Sequence, residues 1–130
     1  LHCGALQGAD MAQITGIFAA SHTPVMLNFP QAIPDALRNE IFEAFGDIGK
    51  AIASARPQAL VVISDDHVHN FFLNNLPSLC IGAAEKYPTP VEHWLKAEKR
   101  VLPGDAALGA YLLQHAMAND FDPSLSMELT

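Results

Sequence analysis

His22 and His67 hold matching places in the chain, each just past an apolar run. The first run contains Ile14, Ile17 and Phe18, ends at Ala20, and leads into Ser21-His22-Thr23-Pro24. The second runs from Ala59 through Leu60, Val61, Val62 and Ile63 to Ser64, and leads into Asp65-Asp66-His67. If both runs are neighbouring parallel strands, both imidazoles emerge at the carboxyl edge of the sheet, where open α/β sheets place ligands. Two neutral imidazoles held there would be two ligands of a metal site; singly, a histidine at a strand end is more often a loop residue satisfied by hydrogen bonds. Asp66 precedes His67 and is a candidate partner for its other ring nitrogen, a contact that fixes the tautomer and aims the ligating nitrogen. Asp65 equally suits a polar turn. His69, two residues on, faces the same side as His67 in an extended segment and is a candidate further ligand or supporting group. His93 reads as a surface residue and His115 as a helix-face residue of the last helix.

These residues need elements to hold them. Residues 13–20 and 59–64 read as buried strands, short, apolar and uncharged. Between them, residues 35–54 carry helical spacing: Leu37, Ile41, Phe45, Ile48 and Ile52 form one stripe. Asp35 and Glu40 near the start and Arg56 past the end suit the helix dipole, and Pro57 ends the helix at the preceding residue. Strand, helix, strand makes a right-handed βαβ unit. A third strand is expected at 78–82. Residues 86–102, with Pro88, Pro90, Trp94 and several charges, read as a long irregular excursion. Asp105 caps a helix reaching about Ala118, with Leu108, Leu112 and Ala116 on one face. Residues 124–130 alternate Leu125, Met127 and Leu129 with polar neighbours, as a strand does. The expected fold class is α/β: a three-layer-like parallel or mixed sheet with flanking helices, forming an incomplete domain.

Composition limits the partners. The chain has 130 residues, 50% of them apolar, and a formal net charge of -7. One domain fits that length, and the apolar content excludes global disorder. Without a basic cluster, nucleic acid and anionic membrane are poor partners. The two cysteines, Cys3 and Cys80, form no CxxC pair, which suits a reduced, cytoplasmic setting; Cys80, between Leu79 and Ile81, reads as a small buried apolar residue. No apolar stretch reaches the roughly 20 residues of a membrane span. Residues 1–10 read as a tag or non-native leader, with Met11 as the expected start and residues 11–130 as part of one catalytic domain. GxGxxG, P-loop, HExxH and GxSxG motifs are absent.

The segments Gly16-Ile17-Phe18-Ala19-Ala20-Ser21-His22-Thr23-Pro24 and Val61-Val62-Ile63-Ser64-Asp65-Asp66-His67 together resemble class III extradiol ring-cleavage dioxygenases, relatives of the protocatechuate 4,5-dioxygenase β subunit and gallate dioxygenase. The resemblance continues through Phe71-Phe72, Leu76 to Gly82, Pro103-Gly104-Asp105 and Asn119-Asp120-Phe121-Asp122. It implies that His22 and His67 ligate a non-haem Fe(II), and that a glutamate much later in such chains completes a 2-His-1-carboxylate triad with open positions for a catecholic substrate and O2. It implies also an Asp-His-Gly motif and a later acid/base histidine. Those features are not found here, so the sequence reads as the N-terminal portion of such an enzyme, inactive alone, with no catalytic acid/base of its own. Glu85 and Glu128 have the chemistry but not the spacing to replace the missing ligand. A homo-oligomer, or pairing with a second subunit, is the expected assembly. Two other readings stand beside this one: a non-catalytic member of the fold that binds a partner or peptide, and a zinc hydrolase-like site built from His22, His67 and His69.

Overall fold

A computed structural model describes residues 12–128. The expected leader, with His2, Cys3 and Met11, and the last two residues of the expected C-terminal strand lie outside that range.

The first regular element is the single helical turn α1 (Val25–Asn28), followed by a 3-10 turn at Pro30–Ala32. Helix α2 (Asp35–Ala55) follows the apolar stripe closely, ending one residue beyond the expected boundary. Asp35 lies in its first turn and pairs with Arg38 at 2.8 Å. Arg56 closes it in the left-handed region, at φ 46°, with its amide bonded to the Ile52 carbonyl. Helix α3 (Ala106–Met117) begins as its sequence dictates, with Asp105 Oδ1 accepting from the Leu108 amide at 2.9 Å. Removing that cap leaves an amide unpaired. Asp105→Ala therefore lowers stability by about 1 kcal/mol, measurable as a reduced urea midpoint with unchanged slope.

Strand β1 (Cys80–Gly82) falls inside the expected third strand. Strand β2 (Lys86–Thr89) and strand β3 (Arg100–Pro103) form an antiparallel ribbon in which Lys86 faces Pro103 and Thr89 faces Arg100. The excursion expected to be irregular is therefore a hairpin with a long connection. Both members of a two-stranded ribbon are edge strands, so Pro88 is tolerated where a central strand would reject it. Strand β4 (Ser124–Ser126) pairs parallel to β1, with Cys80 opposite Ser124 and Gly82 opposite Ser126. Helix α3 packs onto β1. Contact there is close: a Cβ on Gly109 would lie 2.7 Å from Ala83 Cβ and 2.8 Å from the Gly82 carbonyl oxygen. Ala83 and Ala84 are the buried apolar side chains among the described residues.

The α/β class holds, but the expected architecture is corrected in one respect. Residues 13–20 and 59–64 make no sheet ladder among the described residues. The sheets are the parallel pair β1–β4 and the ribbon β2–β3, not one broad helix-covered sheet. The physical reason is lack of cover. A run apolar on both faces needs neighbouring strands and two helical layers, and here Val62 is 82% and Ile63 94% exposed. The stripe on α2 is also incompletely covered, with Leu37 and Phe45 exposed. The chain exposes 11112 Å², against about 6,700 Å² for a compact monomer of this mass. Among the described residues, Ile14, Ile17, Leu60, Val61, Val62 and Ile63 are all exposed.

Candidate metal centre

The loops that follow the two apolar runs meet. His22 Nε2 and His67 Nε2 lie 2.8 Å apart, with ring centroids separated by 5.0 Å and planes tilted by 48°. Forty-five residues separate the two in sequence, so this is a tertiary contact. Two nitrogen lone pairs at that distance repel unless a cation lies between them. A shared proton is one solution, with one ring donating to the other. A metal ion is the second. Two imidazole nitrogens each about 2.1 Å from a metal and at right angles about it are roughly 3 Å apart. The observed separation is close to that value, and both rings are exposed to incoming ligands. The pair therefore fits two adjacent positions of a metal. No group of three or more histidine, cysteine, aspartate or glutamate side chains converges among the described residues.

The turn that carries His67 is unusual. His67 and Val68 have φ of 53° and 62°, and the His69 amide bonds to the Asp66 carbonyl at 3.2 Å. Positive φ at both central positions is the pattern of a type I′ turn, which normally takes Asn-Gly. A β-branched residue in the left-handed region costs on the order of 1–3 kcal/mol. The offset comes from Asp66. Its Oδ1 accepts from Asn70 Nδ2 at 2.7 Å and its Oδ2 from the Phe71 amide at 2.9 Å, while both oxygens receive the Asn70 amide at 3.0 Å. Hydrogen bonds to an ionised group contribute roughly 1.5–3 kcal/mol each. Burial pushes the Asp66 carboxyl up, but the Asn70 side chain and the Phe71, Asn70 and His69 amides hold it below the ordinary carboxylate value. Asp66 thus uses its oxygens on the backbone rather than on the His67 ring, the contact expected from sequence.

His69 turns elsewhere. Its Nε2 lies 3.5 Å from Glu92 Oε1, and the three-histidine zinc set is not assembled among the described residues. Asn28 at the end of α1 is buried; its Nδ2 donates to the Trp94 carbonyl at 3.1 Å, and its Oδ1 accepts from the Lys96 amide at 2.8 Å. The connection between β2 and β3 is therefore hydrogen-bonded to the segment after His22, through Asn28, and Glu92 within it lies beside His69 in the loop after His67. Sequence reasoning missed Asn28 and Asn70. Asn70 had a legible signal, an amide side chain four residues after an aspartate in a turn; Asn28 had none. Glu128 is engaged locally, its carbonyl accepting from the Ser126 hydroxyl at 2.6 Å. His115 stacks on Tyr111 along α3, with centroids 6.1 Å apart. Burial, and then the nearby Asp66 charge, push the Cys80 thiol up.

Fold and site together define an α/β domain presenting two converging imidazoles on adjacent loops. Residues 16–130 match the family described as the catalytic LigB subunit of aromatic ring-opening dioxygenase. The chain belongs to that family. Among curated proteins it is similar to 2,3-dihydroxyphenylpropionate/2,3-dihydroxicinnamic acid 1,2-dioxygenases. With that of Mycolicibacterium smegmatis it is 36% identical over 64 residues, covering 49% of this chain and 20% of the relative. With those of Cupriavidus necator and Cupriavidus pinatubonensis it is 34% identical over 92 residues, covering 65% of this chain and 28% of each relative. The chain thus spans from a fifth to just over a quarter of these relatives' length. No solved structure gives a significant match. Among the described residues, no helix is long and apolar enough to cross a membrane.

Proposed function

We propose that the native polypeptide carrying this chain opens a catechol-type ring with O2 in extradiol fashion, and that His22 and His67 supply two ligands of its Fe(II). The observation that carries this reading is the 2.8 Å approach of the two Nε2 atoms, together with family membership. The relatives' names support the regiochemistry: a 1,2-dioxygenase acting on a 2,3-diol opens the bond beside the diol, not the one within it. They support as substrate a catechol bearing a three-carbon acid chain. Bound Fe(II) would supply open positions for the two catechol oxygens and for O2. The chain's own contribution is to hold two neutral imidazoles at adjacent positions, each with Nε2 free of its proton, and to leave the opposite side open. A carboxylate from beyond Thr130 is the proposed third ligand, zinc is the competing metal, and the acid/base group is sought in the same place. The uncovered apolar surface of residues 13–20, 59–64 and α2 suits burial against the rest of such a polypeptide, or against a second copy or subunit.

The test is anaerobic loading of the native polypeptide with Fe(II), then addition of 2,3-dihydroxyphenylpropionate and O2. Stoichiometric O2 uptake with a yellow ring-opened product is expected. Tight stoichiometric zinc without O2 uptake supports the hydrolase-like reading instead, and absence of any metal affinity supports the non-catalytic one.

A further inference from the structure

We propose that Asp66 is the positioning residue for His67, acting through the backbone of residues 66–71 and not through the imidazole. The inference rests on the reading of His67 as a metal-facing ring, and deepens it. His67 and Val68 both sit at positive φ, 53° and 62°, a conformation neither side chain favours. Left alone, such a sequence relaxes to ordinary negative φ, and the direction of the His67 side chain changes with it. What opposes the relaxation is one carboxylate that gathers the next part of the loop: the Asn70 amide, the Asn70 side chain and the Phe71 amide all donate to it, at 2.7 to 3.0 Å. The turn's own hydrogen bond, His69 amide to Asp66 carbonyl, starts from the same residue. Asp66 therefore closes the loop over His67 and Val68, while no hydrogen bond links its carboxylate to the His67 ring among the described residues.

If Asp66 serves to maintain positive φ, glycine at position 68 should substitute for it in part, because glycine adopts that region without steric penalty. Val68 is about half exposed, so Val68→Gly removes little packing. The readout is the cross-relaxation between His22 and His67 ring protons in metal-free, histidine-labelled protein, with the Asp105–Leu108 cap of α3 as the folding control. Wild type should show the cross-peak. Asp66→Ala should lose it while the α3 signals persist, and Asp66→Ala/Val68→Gly should regain it. Asn70→Ala, which removes one donor and leaves Asp66 in place, should weaken it and keeps the test informative if Asp66→Ala fails to fold. An undiminished cross-peak in Asp66→Ala, or none recovered on adding Val68→Gly, overturns the proposal. Co(II) titration of the native polypeptide separates this result from the metal reading. Asp66→Ala should weaken binding about 10–100-fold, and the double variant should recover part of the loss. If His67→Ala binds Co(II) as wild type does, the metal assignment fails, while the ring-proton experiment still decides the role of Asp66.

Discussion

His67→Ala in the native polypeptide is expected to weaken Fe(II) binding by at least about 100-fold and to reduce ring opening to background, and His22→Ala should do the same. The two Nε2 atoms stand 2.8 Å apart, so each ring is half of whatever cation they share. An open-site metal is normally held by three protein ligands, and removing one leaves two. Loss of one metal–ligand bond exceeds the 10–100-fold attached to supporting contacts around a ligand. The effect should be confined to the metal. Both rings are exposed, no described element packs its core on them, and thermal unfolding of the metal-free variants should match wild type. Equilibrium dialysis of iron under anaerobic conditions gives the binding loss, and O2 uptake with saturating catechol gives the turnover loss.

The second large effect concerns stability. Gly109→Ala should destabilise the chain by up to about 2 kcal/mol, although alanine is the better helix former. Its methyl group would meet Ala83 Cβ at 2.7 Å and the Gly82 carbonyl oxygen at 2.8 Å, and α3 would have to lift from β1. Overpacking of this kind costs about 1–3 kcal/mol, against a helix-propensity gain of about 1 kcal/mol. Gly46 and Gly49 in α2 offer the contrast, since a Cβ at either would meet nothing within 4 Å. There the propensity gain stands alone, and Gly46→Ala should stabilise by about 0.5–1 kcal/mol. Opposite shifts of the urea midpoint for the two substitutions check the account of how α3 is seated.

The two helices were legible because their signals are local. Leu37 to Ile52 step at helical spacing, and Asp105 carries the side chain that an N-terminal amide needs. The ribbon β2–β3 was not legible, because Pro88 and Pro90 argue against strands and only a two-stranded edge pairing accommodates Pro88 opposite Val101. Residues 13–20 and 59–64 show what periodicity measures. Their composition records a demand for burial, and it does not create the neighbours that would meet it; Ile63 remains 94% exposed. The histidine pair was legible from placement after matching apolar runs, even though those runs form no ladder among the described residues. The function of Asp66 was not. Its partner depends on two positive φ angles next to it, which no residue type at 67 or 68 announces. Asn28 was hidden for a different reason, since its partners Trp94 and Lys96 lie 66 and 68 residues away.

The claim that the two imidazoles share one metal is tested most directly by iron-edge X-ray absorption of the Fe(II)-loaded native polypeptide. Two imidazole nitrogens at about 2.1 Å are expected in the wild type, and one in each of His22→Ala and His67→Ala when loaded at high iron. The same imidazole count in all three proteins would contradict it.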